Sequence, residues 1–221
     1  MVPSSTHTRL VTFGCSFMAG HGIHDMWDAE AQQNINGVSK YAWVETLGKY
    51  LDLPVVNCAI PGTSNKEIAH CIHNFDFRPD DRVIVQWTFR ERSCIIGVPD
   101  ENGNNYKISV HGKEEISTHW TEYHADYNNM IFESVMAISS ARWILEQNQV
   151  LNRHLFLKNF DWENQTQVRD HLNKDIIPLP FDWSAGNKGY DDEHPDLESY
   201  TVYAHTIYEW MKQNEDLNQW Q

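Results

Sequence analysis

The chain has 221 residues, 41% of them hydrophobic and 12% aromatic, enough for one globular domain with a substantial core, and no stretch is biased enough in composition to read as disordered. With 31 acidic against 17 basic residues the net charge is −14, which argues against a surface that neutralises nucleic-acid phosphates. A neutral or cationic partner fits this charge better, although the acidic excess by itself also serves to keep a protein soluble.

The opening Met1–Leu10 stretch carries neither the basic nor the apolar segment of a secretory signal, and no apolar run is long enough to span a bilayer. A cytoplasmic protein without a membrane partner is expected, with virion association left open. Cys15, Cys58, Cys71 and Cys94 form no CxxC pair and read as reduced, mostly buried thiols.

Arg9 to Gly14 is a short β-branched and apolar run ending in glycine, which predicts a buried strand followed by a loop over 15–22. From Ser39, the spacing of Ala42, Trp43, Leu47 and Leu51 predicts a helix closed by Leu53-Pro54. Pro54 to Ala59 reads as a second strand, and Ser64-Asn65-Lys66-Glu67 as a capping box opening a helix toward Phe75. Asp81 to Trp87 is a third strand, apolar enough to be buried on both faces.

The βαβ rhythm then breaks. Residues 93–127 read as an insertion within a single domain spanning 1–221, with a hairpin pairing Cys94–Val98 and Tyr106–Val110 across Asp100 to Asn104. Met130 to Gln149 predicts a long helix with Ile131, Val135, Ile138, Trp143 and Leu145 mostly on one side, leading into a strand at His154–Leu157. A weaker strand is expected through Ile176–Leu179. The last helix is expected near Pro195, with Asp196 and Glu198 at its positive end and Tyr200, Tyr203, Ala204, Ile207 and Met211 as its buried stripe. Alternation of this kind predicts an α/β fold with a mostly parallel sheet whose ligands bind beyond the carboxyl ends of the strands.

Three loops lie at such ends or close on them. Ser16, just beyond the first strand, presents a hydroxyl that suits either a nucleophile or a helix cap. Gly62, after the second, leaves its N–H unobstructed for an oxyanion, or is a plain turn glycine ahead of the capped helix. Asp191 stands three residues before His194, a spacing that can hold a carboxylate against Nδ1 while Nε2 faces a nucleophile from another loop. An exposed acidic loop carrying an incidental histidine is the competing reading.

Together Phe13-Gly14-Cys15-Ser16, the stretch Asn57 to Ser64, and Asp191-Asp192-Glu193-His194-Pro195 match in order and position the SGNH/GDSL hydrolase family, which the sequence resembles over nearly its whole length. The first resembles block I, the second block II with Gly62 at the oxyanion glycine, and the third the Asp-x-x-His-Pro of block V. The resemblance implies a three-layer αβα, flavodoxin-like sheet of order 2-1-3-4-5 with Ser16 beside the topological switch point. It implies Ser16 as nucleophile, His194 as its base, Asp191 orienting that base, and the N–H groups of Ser16 and Gly62 as oxyanion donors, with no metal or organic cofactor.

Two departures stand out. Cys15 replaces the usual aspartate before the serine, and the third strand runs into Gln86-Trp87-Thr88-Phe89-Arg90-Glu91-Arg92 without the block III asparagine. Thr88 or Arg92 could supply the missing donor, whose loss typically costs about 10²–10³ in turnover. This variant looks like divergent SGNH-type proteins of phage genomes.

The expected reaction is hydrolysis of a carboxylic ester, with O-acetylated carbohydrate as a candidate substrate that Trp87 and Trp120 could stack on unless they pack in the core. Rival readings are Cys15 as nucleophile, Asp192 as the orienting acid, a metal site on His70-Cys71-Ile72-His73, an acyltransferase, and an SGNH-type binding or structural module without turnover. No role is assigned to His119 or His124.

Overall fold

A computed structural model describes residues 8–99, 105–109, 127–157, 175–179, 186–215 and 217–220. The order of elements is β1 (Leu10–Phe13), α1 (Ser16–Ala19), β2 (Trp27–Asp28), β3 (Gln33–Asn34), α2 (Trp43–Leu51), β4 (Val55–Asn57), α3 (Asn65–His73), β5 (Arg82–Trp87), β6 (Arg92–Pro99), β7 (Asn105–Ser109), α4 (Tyr127–Gln147), β8 (Leu151–Phe156) and α5 (Leu197–Asn214).

Four strands form a parallel sheet in the order β4-β1-β5-β8, the first four positions of the expected 2-1-3-4-5. In the fifth position Ile176 makes a single parallel bridge to His154, with Asp175 and Ile177 bonding the His154 backbone, so the weak strand expected there is reduced to one bridge. The start of the sheet is tied by Arg9, whose guanidinium spans both oxygens of the buried Asp81 at 2.7 and 3.0 Å.

Side chains of the central strands alternate between two cores, because successive Cβ atoms of a strand point to opposite faces. On one face Leu10, Ile84 and Leu155 meet Trp43, Leu47 and Leu51 of α2 and Tyr200, Ala204, Ile207 and Met211 of α5. On the other, Val11, Phe13, Val83 and Val85 meet Ile68 and Ile72 of α3 and Ile138, Ala141 and Leu145 of α4. The result is a three-layer α/β fold in which α2 packs beside α5 and α3 beside α4.

Local chemistry sets several boundaries. Ser64 caps α3 by accepting the Glu67 N–H at 3.2 Å, while the Glu67 carboxylate, instead of reaching back to the cap backbone, accepts the Thr63 hydroxyl at 2.7 Å. Helix α5 starts two residues later than expected: Pro195 is held in a bridge to Lys188, and Asp196 is the cap, accepting the Ser199 N–H at 2.8 Å. Trp143 departs from the stripe expected for α4 and is 58% exposed, in line with Phe132 and Met136 on the outer side. Among the described residues no helix is long and apolar enough to cross a membrane.

After β5 the chain forms the antiparallel hairpin β6–β7, with Arg92 opposite Ser109 and Cys94 opposite Lys107. Most of the remainder of 93–127, including Trp120, His119 and His124, lies outside the described residues.

Candidate active site

Beyond β1 the chain turns at once into α1, a single helical turn in place of the loop expected there. Cys15 is its extended N-cap residue, and its carbonyl accepts the N–H groups of Met18 and Ala19. Ser16 is therefore the first helical residue, and its own N–H has no acceptor within the helix. The Cys15 side chain is fully buried in the core shared with α2 and α5, which removes it from the site and overturns the reading of Cys15 as a nucleophile. The other thiols are unpaired too, and burial raises Cys58 and Cys71 to about 11 and about 12, so both stay protonated at neutral pH.

The turn that carries His194 is pinned against the loop leaving α1. Gly189 donates to the His194 carbonyl at 2.7 Å and Tyr190 to the Gly22 carbonyl at 2.9 Å. The contact is so close that a Cβ on Gly189 would stand 2.2 Å from the Gly22 oxygen, and a Cβ on Gly22, itself at φ +82°, would stand 2.9 Å from His194 Cβ. Only hydrogens fit on both sides of this seam.

Seated this way, His194 Nε2 lies 2.8 Å from Ser16 Oγ and His194 Nδ1 lies 2.7 Å from Asp191 Oδ2. Asp191 Oδ1 accepts the backbone N–H groups of Glu193 and His194 at 3.1 and 2.9 Å. Asp192, by contrast, is exposed with a left-handed backbone (φ +57°) and makes no contact with the imidazole, which leaves Asp191 as the acid at the ring.

The sequence reading missed Asn34. Residues 27–34 form a two-residue ribbon, β2 against β3, from which Asn34 donates Nδ2–H to Asp191 Oδ2 at 2.5 Å and accepts the Gly22 N–H on Oδ1 at 3.0 Å. Burial pushes the Asp191 carboxyl up, but the His194 N–H, Asn34 and the imidazole outweigh it and bring it down to about 2. Burial likewise pushes His194 below the ordinary imidazole value, opposed by the Asp191 charge and hydrogen bond. At neutral pH the pair is thus carboxylate and neutral imidazole, with Nδ1–H donated to Asp191 and the Nε2 lone pair free to accept from Ser16.

Two aromatic rings shape the other side of His194. Phe17 lies 4.7 Å from it, centroid to centroid, and His21 lies 5.5 Å away edge-on. His21 is buried, its Nε2 lacks a hydrogen-bond partner, and burial followed by the neighbouring His194 lowers it to about 4.

Gly62 sits at φ +73° beyond β4, next to the β1 end, where Ile60 bonds the Gly14 carbonyl. Across the strand ends Thr88 is fully buried, its backbone clamped by Asn65, which accepts the Thr88 N–H at 2.8 Å and donates to the Thr88 carbonyl at 3.1 Å. The Thr88 hydroxyl accepts from Arg92 Nη1 at 3.2 Å, leaving its own O–H to donate. Arg92 in turn rests 5.0 Å above the Phe89 ring, which is edge-on to Phe17. A second cation reaches this side: Lys107 of β7 lays its chain across Gly62, 3.4 Å from where a Cβ would be, and donates to the Pro61 carbonyl at 2.7 Å.

Two of the alternatives left open by the sequence lose their support. Trp87 is fully buried and donates to His154 Nδ1 at 3.1 Å, so it is core and cannot stack on a ligand. His70 bonds Asn74 on an outer face of α3 and His73 is exposed; among the described residues no three His, Cys, Asp or Glu converge as metal ligands.

No family model matches the chain, and no curated relative matches it. Solved structures do. An acetyl xylan esterase from the rumen bacterium Butyrivibrio proteoclasticus superposes with a TM-score of 0.61 at 11% identity, over 96% of this chain and 65% of that one. A family two carbohydrate esterase from Clostridium thermocellum, in complex with cellohexaose, gives 0.56 at 12% identity over 96% and 66%. A protein assigned to the G-D-S-L lipolytic family from Desulfitobacterium hafniense DCB-2 gives 0.52 at 11% identity over 92% and 99%. The chain thus spans about two thirds of the length of the carbohydrate esterases and nearly all of the G-D-S-L protein. The fold is the SGNH/GDSL hydrolase fold, found here in esterases.

Proposed function

We propose that the protein is a serine hydrolase of carboxylic esters, with Ser16 as nucleophile, His194 as general base and acid, and Asp191 as the group that fixes the imidazole. The observation that carries this reading is the unbroken chain of short contacts from Ser16 Oγ through His194 to Asp191, between side chains 178 positions apart. A packed core has no need of that alignment, whereas nucleophilic attack by a hydroxyl does.

Ser16 Oγ attacks the ester carbonyl carbon as its proton passes to His194 Nε2, and the imidazolium that forms is held by the Asp191 charge. The oxyanion of the tetrahedral intermediate meets the N–H groups of Ser16 and Gly62, with the Thr88 hydroxyl and Arg92 taking the place of an asparagine amide. Collapse breaks the bond to the alcohol, which leaves with the His194 proton. Water then attacks the acyl-serine, giving its proton to His194 and releasing the acid as Ser16 recovers its own.

Acetyl groups on carbohydrate are the first substrates to try, since two of the similar structures are named as an acetyl xylan esterase and a carbohydrate esterase. A fluorophosphonate probe tests the nucleophile. Labelling of the wild type that vanishes in Ser16→Ala is expected; an unlabelled, folded wild type would instead make the protein a binding module on a hydrolase scaffold.

A further inference from the structure

The hairpin β6–β7 brings two cations to the side of the site where the oxyanion would form. Alternate positions of a strand share a face with the residues paired to them, so Arg92 lies on the same side of the hairpin as Cys94 and Lys107. Arg92 and Lys107 are then diagonal neighbours, their backbones about 7–8 Å apart. Arg92 reaches Thr88 beyond β5, and Lys107 reaches Pro61 and Gly62 beyond β4. The two charges thus flank the loops that border the scissile carbonyl.

Among the described residues, neither Arg92 nor Lys107 forms an ion pair, in a chain where acidic residues outnumber basic ones by 31 to 17. Arg92 uses one guanidinium N–H on Thr88 and Lys107 one ammonium N–H on Pro61, so both keep donors to offer. The ionised acid of the site, Asp191, is spent on the far side of the imidazole. Two half-buried cations on one face, without an acidic partner among the described residues, are suited to an anion supplied from outside, and a carboxylate matches both the guanidinium fork and the ammonium.

We propose that the Arg92 and Lys107 face of the hairpin binds a carboxylate carried by the substrate, so that the preferred esters are anionic. This rests on the hydrolase reading and adds the substrate class. The carboxylate can sit on the acyl side, as in the half-ester of a dicarboxylic acid, or on the alcohol side, as in an acetylated uronic acid.

The experiment compares kcat/KM for 4-nitrophenyl hemisuccinate with its methyl-capped neutral counterpart, and for acetylated glucuronic acid with acetylated glucose. At least one charged member should be preferred about tenfold at low salt, and added salt should erode the preference. The pair that shows it identifies the side. Lys107→Met keeps an unbranched chain across Gly62 and should cut the charged-to-neutral ratio about tenfold, while Lys107→Arg should retain it. A ratio near one in the wild type, or one unchanged by Lys107→Met, overturns the proposal.

Binding to Ser16→Ala by calorimetry keeps the two readings apart. If the wild type cleaves none of these esters and takes no fluorophosphonate, the hydrolase reading fails. Even then, Ser16→Ala binding hemisuccinate more tightly than its methyl ester, with the difference lost in Ser16→Ala/Lys107→Met, upholds the anion site, and equal binding sinks it.

Discussion

Replacing Asn34 by alanine removes one hydrogen bond to Asp191 Oδ2, at 2.5 Å, and leaves the Gly22 N–H without its acceptor. Hydrogen bonds to a charged group contribute about 1.5–3 kcal/mol. Asp191 retains three other donors, the N–H groups of Glu193 and His194 and the imidazole Nδ1–H, so the lower end of that range applies. With about 1.4–2 kcal/mol lost from the transition state, kcat/KM should fall about 10- to 30-fold.

The carboxyl, held at about 2, moves up toward its ordinary value of 3.8 and is still ionised at pH 7, so the loss is one of orientation and not of charge. The drop should therefore persist across the neutral range, in kcat more than in KM. Asn34→Asp sets a second carboxylate against an ionised one and should fall further, by about 10². The assay is ester turnover from pH 5 to 9 together with the rate of fluorophosphonate labelling, with thermal unfolding run beside it to register the orphaned Gly22 N–H. An Asn34→Ala protein that turns over within twofold of the wild type would refute the claim that this side chain positions Asp191.

Because the proposed mechanism needs neutral His194, and burial holds its pKa below the ordinary 6.5, kcat/KM should fall as pH drops through a midpoint under 6.5; a midpoint above 7 would contradict this. Gly22→Ala drives a methyl against His194 Cβ at 2.9 Å and Asp191 Oδ1 at 3.2 Å. It should lower stability by about 1–3 kcal/mol in urea titrations, and serine labelling by about 10², since small misplacements of reacting groups cost that much. Folding keeps His154 and His21 neutral, at about 3 and about 4 against 6.5 in the unfolded chain. Below pH 6.5 the unfolded state binds more protons, so stability should decline on acidification by up to about 1.4 kcal/mol per pH unit for each histidine. His154→Gln should flatten that decline in urea midpoints compared at pH 7 and pH 5.

What the sequence revealed and what it hid divide along physical lines. Strands β1 and β5 were readable because they are short apolar runs buried on both faces, β4 because a β-branched pair follows a proline even though this edge strand is only half-buried, and α3 because Ser64 and Glu67 announce its first turn. The acid-to-histidine spacing of Asp191 and His194 is likewise local, a property of a few consecutive residues. Asn34 was not readable. It belongs to a ribbon of two-residue strands with no alternating pattern, and its meaning comes wholly from Gly22 and from Asp191, 157 positions away. Lys107 is hidden for the same reason, since hairpin register decides which face it shares with Arg92. Trp87 and Trp143 are equivalent by composition, yet a histidine partner holds one in the core while the other projects from the outer side of α4.

The distance along the chain between Ser16 and His194 has a consequence for how reactivity arises. The serine is synthesised 178 residues before the imidazole, so until His194 has emerged the hydroxyl is an ordinary alcohol. In the proposed mechanism it becomes acylatable only when α5 docks and the turn ahead of it closes on Gly22. Capture of a covalent serine probe would then count chains in which this turn has closed, and chains still open at that point would stay silent.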